Sequence, residues 1–405
     1  MRRALVIGLV ALASAGCDYG FRPETLVENL RLLGVQADPA DLAPGETAAL
    51  RALVLDPSRP GQRSTVLWLG CAPDPYNLNR SACSDVETLS NAADLFSPDG
   101  GSPDGGMLPP GVSVIGFNDN ASYTADAHLF DSLDAGDERR ITGTVGQALV
   151  FAVAEEVPPN ASQEELAELF RRVQNNEVRS LTALFRVRIS ESPERNRNPA
   201  LSAFFVAKER WPRGAHVTVL PGEPVELDGD APDDAFEQFT NPTPTGVEEK
   251  TERILVAWYS TAGRFTEART ALREQVKTVF TAPGGADETD PVPTSREGTL
   301  YLVLRDTRGG QAWTQVPFYV CDAARPAPVV TQVEWPSTAT DPVVLRGENL
   351  AELLDVVVDE VALEDGAYSP TNDTWRGFLP AGVDVGQARG RYLTRACGRG
   401  VLPVP

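Results

Sequence analysis

The stretch Val217-Thr218-Val219-Leu220-Pro221-Gly222-Glu223-Pro224-Val225-Glu226-Leu227 decides the fold class. Apolar residues recur at every second place on both sides of a Pro-Gly-Glu turn, which is the period of a strand with one buried face. Proline sets φ in the turn and glycine frees the position after it. Ile254-Leu255-Val256-Ala257-Trp258-Tyr259 then reads as a further strand with a tryptophan in it. The same order stands earlier in the chain. Leu33, Val35 and Ala37 alternate, Leu42-Ala43-Pro44-Gly45-Glu46 turns, Ala48, Leu50, Ala52 and Val54 alternate again, and the strand 64–71 carries Trp68. Short strands at this spacing, punctuated by Pro and Gly, predict two related β-sandwiches. Trp68 beside Val66, and Trp258 beside Ile254 and Val256, are expected in their cores.

Outward from these repeats the punctuation continues. The second copy carries an acidic insertion, 228–249, and closes with a hairpin in which 299–305 alternates, Asp306-Thr307-Arg308-Gly309-Gly310 turns, and 312–321 returns. In the first copy 147–153 and 181–189 read as strands with a helix between them. Ser162-Gln163-Glu164-Glu165 is a capping box, and Leu166, Leu169, Phe170 and Val173 follow at helical spacing. The repeated Ser-Pro-Asp-Gly-Gly at 97–106 has nothing to bury and reads as a loop. After a Pro/Ala linker at 323–328, strands are expected at 329–335, 342–345 and 355–363, with Pro380 and Gly386 near the end. The fold class is therefore all-β, tandem immunoglobulin-like sandwiches with one short inserted helix. The domains run 29–198, 199–322 and 323–405.

The N-terminus has a different character. Met1-Arg2-Arg3 precedes an unbroken apolar run from Ala4 to Ala15, then Gly16 and Cys17. Basic residues, a short apolar core and small residues form a signal peptide, and the run is shorter than the roughly 20 residues of a spanning helix. Ala13-Ser14-Ala15-Gly16-Cys17 resembles a bacterial lipobox, which implies a signal peptide at 1–16, diacylglycerol on the Cys17 thiol, and a lipidated tether at 17–28. Asp18 leaves inner against outer membrane open. Four further cysteines, Cys71, Cys83, Cys321 and Cys397, lie in what would be an oxidising compartment. Three connectivities exist. The local pair Cys71–Cys83 and the bracketing pair Cys321–Cys397 are favoured over metal ligation, since there is no C-x-x-C and only two histidines.

The Pro-Gly-Glu turns, Trp68 and Trp258, and the Arg305-Asp306…Gly309-Gly310 hairpin resemble bacterial immunoglobulin-like domains. The run Val343-Val344-Leu345-Arg346-Gly347-Glu348-Asn349-Leu350, with Pro336, Pro380 and Gly386, looks like an IPT/TIG module. The whole is similar to multi-domain surface lipoproteins of Gram-negative bacteria. That resemblance implies scaffold, adhesion or ligand-platform roles in the cell envelope.

Composition narrows function further. A net charge of −21 at pH 7 and a pI near 4.6 exclude a nucleic-acid surface. No zincin, nucleophile-elbow, S-x-x-K or phosphate-loop motif occurs, so no catalytic residue is assigned. His128 and His216 are expected on exposed loops or strands. Asp228, Asp230, Asp233 and Asp234, crowded in one turn, are a weak calcium candidate beside the alternative of a solvated acidic loop, and Asn118-Asp119-Asn120 is a fainter one. Otherwise no cofactor is expected. Trp211, Trp313, Trp335 and Trp375 lie near strand ends or linkers, where an exposed aromatic patch would mark a partner surface. The expected function is a non-catalytic, structural or adhesive ectodomain. It would touch the membrane through the lipid on Cys17 and bind a protein or glycan. The alternatives are an accessory subunit of an envelope machine for secretion, motility or polysaccharide export, and a carbohydrate-active enzyme.

Overall fold

In a computed structural model the described residues are 23–73, 111–158, 161–243, 246–274, 277–285, 290–338, 340–383 and 389–403. Cys17, Cys83, Gly386 and the 97–106 repeat lie outside them.

The first sandwich is one eight-stranded sheet folded over on itself. Its order is Arg31–Asp38, Thr47–Leu55, Asn120–Thr124, Val112–Phe117, Thr65–Cys71, Thr144–Val153, Ser180–Ile189 and Asp41–Leu42. The first and last of these are consecutive in the chain. The backbone crosses from one edge to the other at Pro39-Ala40, pairing antiparallel with Thr47–Leu55 and then parallel with Ser180–Ile189. Side chains alternate across each strand, so Val66 and Trp68 face Val150 and Val187 in the enclosed core. Trp68 is fully buried, and its Nε1 donates to Asn118 O at 2.8 Å.

Thr65–Cys71 and most of Thr144–Val153 are buried on both faces, which a two-layer sandwich alone does not explain. The second cover includes the helix Gln163–Gln174: its Leu169, with Val178, packs on Leu67, Phe151 and Val153. The capping box forms as the sequence reads. Ser162 Oγ accepts from Glu165 N at 3.2 Å, and Glu165 Oε2 accepts from Ser162 N at 2.7 Å. A five-residue helix, Glu138–Thr142, was not legible; Asp137 caps it.

The second sandwich has two five-stranded sheets. One runs Glu209–Arg210, Ala203–Val206, Pro224–Asp230, Thr278–Thr281, Arg264–Phe265; the other runs Val217–Val219, Gln311–Val320, Glu297–Arg305, Leu255–Ser260, Arg269–Ala271. Trp258 joins Phe204, Phe265, Phe280 and Phe318 in a contiguous aromatic core, with successive centroids 5.1 to 6.5 Å apart. The opening turn needs its glycine: Gly222 has φ +70°, and a Cβ there would stand 2.6 Å from Gly285 Cα. The acidic insertion is more ordered than a loop. Asp228 and Asp230 still belong to the strand Pro224–Asp230, a 3₁₀ turn spans Asp233–Ala235, and Gln238–Thr243 pairs with Gly246–Thr251 as a hairpin.

The third sandwich has two four-stranded sheets. These are Val329–Glu334, Val343–Glu348, Thr374–Phe378, Glu364–Ser369 and Val361–Ala362, Leu353–Val358, Gly390–Thr394, Arg399–Val401. Trp375 is buried at its centre. The strands therefore continue well past Pro380, which the sequence reading placed near the end of the module.

The first and third units pack against the second. Leu33 and Leu53, which face away from the first core, join Ala257, Tyr301 and Val303 on the outer face of a second-sandwich sheet. Val357 and Leu393 of the third sandwich enter the second core's cluster. The expected tether is also partly docked. Val27 is fully buried, Val27 N donates to Ser260 O at 2.8 Å, and Ser260 N donates to Thr25 O at 2.9 Å. No described helix is long and apolar enough to cross a membrane.

Candidate functional site

Two junctions and one sandwich end hold the chemistry. Between the second and third sandwiches lies a cleft of about 520 Å³ walled by Phe204, Arg210, Trp211, Arg213, Gln315 and Glu360, among others. Arg210 is brought there by the tight hairpin of Ala203–Val206 with Glu209–Arg210, whose two turn residues, Ala207 and Lys208, both have positive φ. Arg213 is placed by pairing across the junction: Arg213 N donates to Glu360 O and Ala362 N donates to Arg213 O, both at 2.9 Å. Trp211 Nε1 donates to Ala215 O at 3.2 Å, and the Arg399 guanidinium lies 5.1 Å from its ring centroid, so one face of the indole is already covered.

These walls are held from several sides. Cys321 and Cys397 form a disulfide from the end of the second sandwich to the third, with Cα atoms 5.4 Å apart. His216 donates its backbone N–H to Asp355 at 2.7 Å, and its Nδ1 lies 3.0 Å from the same carboxylate. Arg325 reaches Glu352, and Arg399 reaches Glu209, both at 2.9 Å. A cleft so braced is formed before any ligand arrives, which lowers the ordering cost of binding.

The junction of the first and second sandwiches holds a buried ion cluster. Arg308 follows the strand Glu297–Arg305 in a turn organised by Asp306, whose Oδ1 accepts from Arg308 N and Gly310 N at 2.8 Å. The Arg308 side chain is 6% exposed. It donates to Glu252 Oε1 at 2.6 Å, to Glu237, and to Glu194 O at 2.9 Å, while Phe239 lies 4.9 Å from its guanidinium. Burial pushes the Glu252 carboxyl up to about 7 despite the arginine beside it, and raises Asp306 as well. Glu237 and Glu252 are the close buried carboxylates that sequence could not single out. Arg308 binds both, and neither lines the neighbouring hollow of about 280 Å³. Their geometry suits bracing.

The residues singled out from sequence fall as follows. Asp228, Asp230, Asp233 and Asp234 do not converge. Asp230 and Asp233 face Arg273 at 3.4 and 2.6 Å, Asp234 faces Arg197 at 3.5 Å, and Asp228 lies 3.9 Å from Lys277. Each carboxylate already has a cation beside it, and no cluster of three or more potential metal ligands occurs among the described residues. Asn118 locks a turn instead of offering a ligand: its φ is +49°, and its Oδ1 accepts from Val66 N at 2.9 Å. His128 is exposed, near Asp131, whereas His216 is half-buried at the junction, contrary to expectation. The tryptophan patch is also corrected. Trp211 and Trp375 are buried, and Trp313 and Trp335 are half-buried, Trp313 against the first-to-second junction. Cys71 is fully buried and disulfide-bonded. Sequence missed Arg210, Arg213 and Glu360 because no local pattern signals that two segments so far apart meet.

No protein-family model and no curated protein matches the chain. Among solved structures it is similar to a lipoprotein from Bacteroides thetaiotaomicron, at 9% identity over 29% of this chain and 78% of that one, with a TM-score of 0.17. It is also similar to the SGBP-B protein of a Bacteroides ovatus mixed-linkage glucan utilization locus, solved with a heptasaccharide. That match is 11% identical, spans 51% of this chain and 46% of that one, and has a TM-score of 0.17. A third likeness is to fibronectin(III)-like modules of Clostridium thermocellum CbhA, 7% identical over 71% and 94% of the two chains, with a TM-score of 0.16.

Proposed function

We propose that the chain is a lipid-anchored protein of a Gram-negative cell envelope whose immunoglobulin-like ectodomain binds a protein or glycan and catalyses nothing. The observation that carries this reading is the braced cleft of about 520 Å³ between the second and third sandwiches. Its floor is apolar, from Phe204 and Val316, and its rim carries Arg210 and Arg213 together with Asp359 and Glu360, the last ion-paired with Arg391 at 2.9 Å. A few convergent polar groups over an apolar floor is the usual makeup of a recognition site. Hydroxyls or amides, which both donate and accept, match such a rim. The third sandwich serves in this reading as an IPT/TIG-like module that completes the cleft, and Cys17 carries the lipid.

The test is a glycan and peptide array read with the wild-type ectodomain and with Arg213→Ala and Glu360→Gln variants. Retention of wild-type signal by both variants would remove the cleft as the binding site. In whole cells Cys17→Ala abolishes lipid labelling and membrane fractionation; a variant that stays membrane-bound ends the anchoring claim.

A further inference from the structure

Among the described residues, nothing closes the end of the first sandwich nearest Thr65. A cavity of about 810 Å³ opens there between the ends of Thr47–Leu55, Thr65–Cys71 and Thr144–Val153 and the turn at Asn118-Asp119. Its apolar lining is Ala52, Val54, Leu55 and Val157, and Ala52 and Val54 are half-buried and packed against the sandwich core. The apolar layer of the core thus runs out to the surface at this end. Around the floor stand Asp56, Asp119, Glu156 and one cation, Arg63.

Among the described residues, two of the rim charges carry no partner. Some acidic side chains elsewhere are matched with arginine, as around Arg308 and Arg273, and others, such as Glu164 and Glu364, stand alone on open surface; here they stand over an apolar hollow. Here Asp119 and Glu156 are exposed and form no ion pair or hydrogen bond through their side chains among the described residues. Asp56 accepts from Ser58 through Oδ1, while its buried Oδ2 has no hydrogen-bond partner. That leaves a net negative rim over an apolar floor.

We propose that this cavity is a second binding site, for a peptide segment that inserts a lysine or arginine side chain among apolar neighbours. The aliphatic stem of such a side chain covers the floor formed by Ala52, Val54 and Val157 while its charged head meets Asp119 and Glu156. A bare polycation fits less well, because it leaves the floor uncovered. The site is separate from the cleft of the second and third sandwiches and does not depend on it.

The probes are three short synthetic peptides, alternating Lys-Leu, Lys-Gly and Glu-Leu, titrated calorimetrically into the ectodomain at low salt. Expected is binding of Lys-Leu, weaker binding of Lys-Gly and none of Glu-Leu. Asp119→Asn with Glu156→Gln should weaken Lys-Leu about tenfold, the size expected from losing two exposed charge pairs. Neutralising two acids on the second sandwich, Asp233→Asn with Asp234→Asn, should change it less than twofold, as should Arg213→Ala in the other cleft. Equal binding of Lys-Leu and Lys-Gly overturns the site as stated, and so does an equal loss in the two neutralised variants, which would reduce the effect to the chain's overall charge.

Discussion

At the scale of the residue, Glu252 has the most measurable consequence. It is 3% exposed and held at about 7, against 4.5 for an ordinary glutamate. A carboxyl whose pKa is raised on folding binds its proton more tightly in the folded state. Its contribution is therefore complete below about pH 4.5 and is lost as the pH climbs through 7. The shift corresponds to roughly 3 kcal/mol at most between those limits. Asp306 is displaced in the same direction, so the two act together. Glu252→Gln keeps an acceptor for Arg308 Nε but removes the titration. Chemical denaturation from pH 5 to pH 8 should show wild-type stability falling and the variant's falling much less; parallel pH profiles would refute the assignment. Nothing in the local sequence Thr251-Glu252-Arg253 distinguishes this glutamate from 57 acidic residues in all. Its character comes from burial, which outweighs the opposing pull of Arg308 from a hairpin far along the chain.

At the scale of the element, what was legible is what alternation and capping encode locally. The strands around Trp68 and Trp258 and the helix opened by Ser162 and Glu165 form where residue order places them, because a period of two or a reciprocal cap is a property of neighbours. What stayed hidden is what a face packs against. Leu33 and Leu53 read as ordinary strand residues, yet they point away from their own core into the second sandwich. Trp313 near a strand end reads as exposable and is instead part of that same junction. The helix Gln163–Gln174 is a case where both levels can be separated. Its cap is local, and Ser162→Ala should cost about 1 kcal/mol. Leu169 is 6% exposed over Leu67, Phe151 and Val153, and Leu169→Ala should cost about 2–3 kcal/mol. Urea titrations of the two variants decide whether covering the sheet or capping the helix matters more. A smaller loss for Leu169→Ala than for Ser162→Ala would mean that the helix does not hold that face.

At the scale of the whole molecule, the second sandwich is a hub, not the middle of a flexible string. The first sandwich lies on its sheet face, the third is joined to it by Cys321–Cys397, and Thr25 and Val27 run beside Ser260. On the proposed anchoring at Cys17, Thr25 is eight positions beyond the lipidated residue, a reach of no more than about 28 Å. The hub then stays close to the membrane, and the first sandwich does not act as a spacer. The segment from the first to the second sandwich is where this rigidity can be tested. Asn198 Nδ2 donates to Ala37 O in the first sandwich at 2.7 Å, and its Oδ1 accepts from Gln311 N in the second at 3.0 Å. One side chain therefore serves both bodies, with Asn196 bonded to Asp306 just before it at 3.2 Å. Asn198→Ala strips a partner from two partly buried backbone groups, a loss of about 1–3 kcal/mol for each group left unsatisfied. Neither sandwich loses a core residue. The expected outcome is faster tryptic cleavage at Arg195 or Arg197 and a larger radius of gyration in solution scattering, with the unfolding of the individual sandwiches little changed. Wild-type scattering that already requires independently moving bodies, or a variant as resistant to trypsin as the parent, would show that the junction is not held by this bridge.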